Sequence, residues 1–218
     1  MSETIIDDIK ANDFIMALEK ADYDLLTIKD YAEKHDVPII RDETKNMLKM
    51  LIDIKKPKRI LELGTAIAYS TYIIYSESKN ELEKLVTIES NNERIIKAKE
   101  NIRKFLDEKK VHLVESDIAK YLQDIKGETF DFVFLDAAKA QYIVWLPYIK
   151  KIMEKGAILL SDNIFKDGEI LESKYYILKR DRTIHKRMRE FLWTITHDES
   201  LDTRIFNIGD GISVSIKK

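Results

Sequence analysis

The stretch Arg59-Ile60-Leu61-Glu62-Leu63-Gly64-Thr65-Ala66-Ile67-Ala68-Tyr69-Ser70 decides how the rest of the chain is read. A short, mostly apolar run passes into small residues, and a helical pattern follows over 69–78. Such a run, bounded by glycine, predicts a strand buried on both faces. A small-residue loop between strand and helix lets backbone N–H groups approach a ligand, with the helix N-terminus favouring an anionic group. The same alternation recurs toward the C-terminus. Runs at 85–88, 111–114, 130–135 and 157–160 predict strands, and helices are expected over most of 91–107, 117–125 and 139–154. That alternation predicts an α/β fold, a mostly parallel sheet with helices on both faces. A basic helix over about 182–196 breaks the rhythm. The runs 203–207 and 212–216 then flank Gly209-Asp210-Gly211, and Asp-Gly between β-rich runs predicts an antiparallel hairpin at the end of the sheet. Toward the N-terminus, 5–54 reads as successive amphipathic helices interrupted at Val37-Pro38. One domain over 1–218 is expected, a helical extension at 1–57 followed by an α/β core at 58–218.

Composition narrows the function classes. A net charge of −2 gives the whole protein no reason to bind polyanions, so any nucleic-acid contact must rest on a local patch. Without cysteine there are no disulfides and no thiolate metal sites, which suits a reducing cytoplasm. The opening Met1-Ser2-Glu3-Thr4 carries no visible secretory signal, and no run is long enough to cross a bilayer. A soluble cytoplasmic protein with no membrane partner is expected.

Several predicted strands end in an oxygen-bearing side chain. Thr87-Ile88-Glu89 ends the second, and a carboxylate there can accept from both ribose hydroxyls of an adenosine-containing cofactor. Ser116-Asp117-Ile118 follows the third, where a carboxylate could accept from an adenine amino group. Phe134-Leu135-Asp136-Ala137-Ala138-Lys139 and Leu159-Leu160-Ser161-Asp162-Asn163 end the last two of the parallel set. Neighbouring strands would bring Asp136, Asp162 and Asn163 together, an all-oxygen set suited to a hard cation: Mg²⁺ first, with Mn²⁺ or Ca²⁺ as alternatives. Each group also has a plain structural reading, as a helix cap, a turn residue or a charge at a helix dipole. A dinucleotide would want a second glycine where Ala66 stands, whereas S-adenosylmethionine, which has no phosphates, has less need of that turn.

On these residues the chain resembles the cation-dependent O-methyltransferases, a family that includes catechol and caffeoyl-CoA O-methyltransferases. The similarity is carried by Glu62-x-Gly64-Thr65-x-x-x-Tyr69-Ser70, Glu89, Asp136-Ala-Ala-Lys139-x-x-Tyr142 and Ser161-Asp162-Asn163, and it runs from about Val37 to the C-terminus. Within the family the chain looks most like bacterial tRNA 5-hydroxyuridine methyltransferases, on His35 to Ile40, Asp136 to Tyr142, the basic segment and the closing Gly209-Asp210-Gly211. The resemblance implies a Rossmann-like class I methyltransferase fold with a seven-stranded sheet. It implies S-adenosylmethionine lined by Ile40, Ser70, Glu89, Asp117, Ile118 and Asp136, with Gly64 at the turn. It further implies a cation on Asp136, Asp162 and Asn163, and a homodimer, for which the N-terminal positions Ile5, Ile6, Phe14, Ile15 and Leu18 are candidates. Where the family has glycine this chain has Ala68. Its methyl could crowd the methionine end of the cofactor, but alanine is tolerated wherever φ is negative, and no loss of activity is expected.

The implied chemistry is methyl transfer to an oxygen. A metal on two vicinal oxygens would fix the line of approach and acidify a hydroxyl whose pKa starts near about 10. Lys139 is the candidate base, provided its own pKa is pulled down. Tyr142 and Trp145 are expected to pack in the core. 5-Hydroxyuridine and catechols both offer vicinal oxygens. The basic segment favours tRNA: Lys174, Lys179, Arg180, Arg182 and Arg187, with Lys186 and Arg189, form a local positive patch, and Tyr175 and Tyr176 could stack on an exposed base. A small-molecule enzyme acting on catechol-like or hydroxycinnamoyl-CoA hydroxyls is the alternative. A non-catalytic adenosine-nucleotide-binding module fits poorly with Asp136, Lys139, Asp162 and Asn163 all present.

Overall fold

The computed structural model describes residues 8–218, so Ile5 and Ile6 lie outside the described residues. Three helices come first: α1 (Asp8–Leu18), α2 (Tyr23–Lys34) and α3 (Asp42–Lys55). Asp22 caps α2 by accepting from the Asp24 and Leu25 N–H groups. The segment around Pro38 lies between α2 and α3, as the block on helical backbone before proline demands.

The core then alternates β1 (Arg59–Leu63), α4 (Tyr69–Ser78), β2 (Lys84–Glu89), α5 (Asn92–Phe105), β3 (Val111–Glu115), α6 (Ile118–Asp124) and β4 (Phe130–Leu135). After β4 come a 3-10 turn (Lys139–Gln141), α7 (Tyr142–Ile152), β5 (Met153–Ser161), α8 (Arg182–His197), β6 (Leu201–Phe206) and β7 (Ile212–Lys217). The seven strands form one sheet in the order β3-β2-β1-β4-β5-β7-β6. β1 to β5 run parallel, and β7 pairs antiparallel with both β5 and β6. The expected helix at 139–154 divides into the 3-10 turn and α7.

Alternate residues of each strand feed opposite faces. On β1, Ile60 joins the layer containing α2 to α5, while Leu61 and Leu63 join the layer containing α6 to α8. Strand order reverses between β1 and β4, so the loops leaving their carboxyl ends diverge and open a crevice there. Among the described residues no helix is long and apolar enough to cross a membrane.

Candidate active site

A cavity of about 700 Å³ opens at the carboxyl ends of β1 to β5. Ile40, Gly64, Ser70, Glu89, Asp117, Ile118 and Asp136 all line it, together with Lys139 and Asn163, whereas Asp162 is fully buried behind the wall. Arg94, Gln141 and Trp145 line it too, and sequence reasoning did not single them out as ligand contacts. Arg94 gave no signal beyond its place in the first turn of α5.

Four N–H groups of the β1–α4 loop are taken within the protein. The Gly64 and Thr65 N–H groups donate to Ile88 O, the Ala66 N–H to Glu89 Oε2 at 2.9 Å, and the Ala68 N–H to Thr65 O. The expected approach of loop N–H groups is corrected for these four, and the N-terminus of α4 is left as read. Four loop donors are spent on the protein, which leaves little for a pyrophosphate. Gly64 is needed for a different reason. Its φ is +110°, and a Cβ there would lie 2.1 Å from the Asp136 carbonyl oxygen, so the β1 and β4 loops touch through it. The expectation of a negative φ at Ala68 is also corrected. Its φ is +69°, left-handed, because the chain turns sharply into α4. The residue is fully buried in the hydrophobic core and does not line the cavity, so its methyl does not crowd a ligand there.

Glu62, on the α4 side of β1, is fully buried and accepts from three hydroxyls: Ser70 Oγ at 2.6 Å, Thr71 Oγ1 at 2.5 Å and Thr87 Oγ1 at 2.6 Å. Burial pushes its carboxyl up to about 7 against the pull of those donors. An acid in the middle of an apolar strand was the signal available for it. Glu89 accepts from three backbone N–H groups, those of Ala66, Ser90 and Asn91, which aim its carboxylate at the cavity rim and leave lone pairs for further donors. Asp117 caps α6 through Lys120 N at 3.1 Å.

Asp136 and Asp162 leave neighbouring strands, held by Asp136 N–H to Leu63 O and Asp162 N–H to Leu135 O. Burial and the adjacent Asp136 charge raise the Asp162 carboxyl to about 6. Asp162 is fully buried. Its Oδ1 accepts from Thr44 Oγ1 and Asn163 N–H, while its Oδ2 finds no hydrogen-bond partner among the described residues. Among those residues no three His, Cys, Asp or Glu side chains are grouped to hold a metal, so a cation site needs the Asn163 amide as its third protein group. Two mutually repelling carboxylates with one orphaned buried oxygen fit a hard divalent cation on Asp136, Asp162 and Asn163. Lys139 Nζ donates to Asp136 Oδ1 at 2.8 Å and to Tyr142 Oη at 3.1 Å. Burial alone would lower its pKa, but Tyr142 and Asp136 outweigh burial and raise it. Tyr142 is buried, its hydroxyl in a network with Leu135 O and Ala137 N–H.

None of Lys174, Lys179, Arg180, Arg182 or Arg187 lines the cavity. Arg182 Nε donates to Ile177 O and Arg187 Nη1 to Ala140 O, so these two brace backbone rather than standing free. Arg180 pairs with Asp181. Tyr175 and Tyr176 are 78% and 82% exposed, far more than packing side chains would be.

The O-methyltransferase family model matches residues 17–218. Tapetum-specific methyltransferase 1 of Arabidopsis thaliana is 25% identical over 191 residues, covering 86% of this chain and 81% of its own length. A catechol O-methyltransferase of Niastella koreensis is 29% identical over 129 residues, 57% of this chain and 58% of its own. A Staphylococcus aureus structure, provisionally described as a caffeoyl-CoA O-methyltransferase, is similar with a TM-score of 0.85 at 26% identity, covering 96% of this chain and 98% of that one.

Proposed function

The chain belongs to the O-methyltransferase family and is an S-adenosylmethionine-dependent O-methyltransferase of the catechol and caffeoyl-CoA type; on that premise we propose that it methylates, with a divalent cation, the 5-hydroxyl of 5-hydroxyuridine at the wobble position of tRNA, giving 5-methoxyuridine. The observation that carries the acceptor assignment is the segment between Asn163 and Arg187. It starts at a candidate cation ligand and returns to the site where Arg187 donates to Ala140 O, one residue past Lys139. Between these anchors it holds Tyr175 and Tyr176 in solvent, with Lys174 Nζ 5.2 Å over the Tyr175 ring and Lys179 three residues on from Tyr176. Exposed aromatics beside cations suit an unstacked base and its phosphates. A simple catechol gives them no task, whereas the phosphates of a hydroxycinnamoyl-CoA acceptor would engage the cations.

In the proposed mechanism Glu89 accepts from the ribose hydroxyls and Asp117 from the adenine amino group, with Ile40 and Ile118 as apolar walls. Asp136, Asp162 and Asn163 would hold Mg²⁺, or Mn²⁺ or Ca²⁺ in its place. When bound, the sulfonium supplies an electrophilic methyl, and the cation aligns and acidifies the acceptor's vicinal oxygens. Lys139 Nζ would receive the hydroxyl proton as the neutral amine, after its ammonium has released a proton to solvent. It can do so only once the charge of Asp136 is engaged elsewhere, because Asp136 helps hold the ammonium protonated. The exposed Phe14, Ile15 and Leu18 on α1 support a homodimer.

A second reading, a small catechol-like acceptor, is favoured by the relatives' substrates as named. The test is methyl transfer from labelled S-adenosylmethionine to hypomodified tRNA carrying 5-hydroxyuridine and, in parallel, to a simple catechol, with Mg²⁺ or EDTA. Mg²⁺-dependent 5-methoxyuridine with a poor catechol rate is the expected result. Catechol methylation with inert tRNA would sink the RNA assignment, and undiminished transfer in EDTA would sink the cation site.

A further inference from the structure

Asp162 is held from a direction that sequence reading did not anticipate. Its Oδ1 is engaged by two donors: Asn163 N–H at 2.8 Å, from the next residue, and Thr44 Oγ1 at 3.0 Å, from the first turn of α3. Thr44 is fully buried, and so is Asp162. The other carboxylate oxygen, Oδ2, is buried with no partner among the described residues. A carboxylate with one oxygen doubly bound and the other bare has lost its two-fold ambiguity. It can turn about its last bond only by breaking both hydrogen bonds at a buried position, where each broken bond leaves an unsatisfied group.

Thr44 is itself locked. Gly209, in the loop between β6 and β7, is packed so close that a Cβ there would lie 3.2 Å from Thr44 Oγ1. That loop grips the strand-end segment, with the Asp167 N–H donating to Asp210 at 2.8 Å and the Ile164 N–H to Gly211 O at 3.0 Å. Arg41 on the α3 side pairs with Asp167 at 3.0 Å. Just before α3, Pro38, Ile39 and Ile40 form a wall of the cofactor cavity.

We propose that Thr44 is a positioning residue for the cation. Its hydroxyl pins Asp162 Oδ1 so that Oδ2 alone faces the divalent ion, and it thereby links ion affinity to the docking of α3 against the β6–β7 loop. This rests on the cation reading of Asp136, Asp162 and Asn163 given above. A partner that orients a metal-ligating carboxylate is worth on the order of 10- to 100-fold in metal affinity.

The experiment measures Mn²⁺ binding by equilibrium dialysis with electron paramagnetic resonance detection, on the full chain without acceptor. Wild type is compared with Thr44→Val, which removes the hydroxyl at nearly constant shape, and Thr44→Ser, which keeps it. S-adenosylhomocysteine binding in EDTA is measured calorimetrically on the same proteins. Mn²⁺ binding weakened about tenfold in Thr44→Val, near wild type in Thr44→Ser, and S-adenosylhomocysteine binding in EDTA unchanged in both, is the expected pattern. Unchanged Mn²⁺ affinity in a folded Thr44→Val overturns the proposal. So does a parallel loss of S-adenosylhomocysteine binding in EDTA, which would mark Thr44 as general packing. If Thr44→Val does not fold, Thr44→Ala takes its place: Mn²⁺ affinity must fall about tenfold there while Thr44→Ser stays near wild type, and unchanged affinity in Thr44→Ala overturns the assignment. A wild-type chain that binds no Mn²⁺ removes the cation reading itself, and the proposal falls with it.

Discussion

The carboxyl ends of β1 and β2 line the cavity, the segment from 164 to 181 leads away from its rim at Asn163, and the two are built in opposite ways. At the strand ends nearly every polar group is spent on another part of the protein: Glu62 on three hydroxyls, Glu89 on three N–H groups, Gly64 and Thr65 on Ile88 O. In the other segment Ile164, Ile170 and Ile177 are buried and Lys166 to Asp181 and Arg182 to Ile177 O add polar anchors, but Tyr175, Tyr176 and Leu178 stand in solvent. The cofactor side is thus assembled by folding, before any ligand arrives. The other side holds groups whose partners must come from outside. Substitutions in the first region should register as stability, and those in the second as recognition.

The severest way to break that contrast is Gly64→Ala. The new methyl would meet the Asp136 carbonyl at 2.1 Å on a backbone with φ of +110°. Both the clash and the strain must be relieved by separating the β1 and β4 loops, at a cost of about 3 kcal/mol or more. Urea unfolding should show that loss, and calorimetry should show S-adenosylhomocysteine binding gone. A stable, ligand-binding Gly64→Ala protein would mean that the two loops do not need to touch.

Glu62 offers a subtler test of the same region. Its carboxyl is raised from 4.5 to about 7 in the folded state, chiefly by burial. With the folded pKa above the unfolded one, the folded state holds the proton more tightly. The resulting stability is fully present below pH about 4.5 and drains away as pH rises to about 7, by on the order of 3 kcal/mol. Glu62→Gln cannot ionise. The stability difference between wild type and Glu62→Gln should therefore shift against the wild type by that amount across the window. Parallel stability curves for the two proteins would show that Glu62 stays ionised within its ring of hydroxyls.

What the sequence made legible follows the same division. Strand β1 and helix α4 fall where the apolar run and the helical pattern put them, because a strand buried on both faces and a helix packed on it leave few alternatives for Ile60, Leu61 and Leu63. The parallel order and the closing hairpin were readable for the same reason. Partnerships across long sequence separations were not. Nothing near Thr44 in the sequence announces Asp162, which lies 118 residues away. Arg182 and Arg187 read as free charge because a sequence shows their sign but not the carbonyls they bond. Nor does composition distinguish an alanine at negative φ from one at positive φ.

The double substitution Tyr175→Ala and Tyr176→Ala probes the second region. Both rings are exposed, so unfolding stability should change by less than about 0.5 kcal/mol. Base stacking on an aromatic ring is worth about 1–3 kcal/mol, so KM for tRNA should rise on the order of tenfold, with any catechol rate untouched. Equal losses on tRNA and catechol would show that the tyrosines shape the site itself. Equal indifference would remove the tyrosines from tRNA recognition.

The smallest effect separates strain from packing at Ala68. Left-handed backbone costs an alanine about 1–2 kcal/mol relative to glycine, whereas glycine gives back about 0.4–1 kcal/mol through the greater freedom of its unfolded chain. Ala68 is also fully buried, so deleting its methyl forfeits a little packing. These terms nearly cancel, and Ala68→Gly should change stability by no more than about 1 kcal/mol, in the stabilising direction if relief of the +69° φ dominates. Because Ala68 is absent from the cavity wall, S-adenosylhomocysteine affinity should not move. A gain in affinity without a gain in stability would reverse that reading, and would mean that the methyl reaches the ligand after all. The cofactor side would then not be finished by folding alone, and the contrast between the two regions would weaken where it is now sharpest.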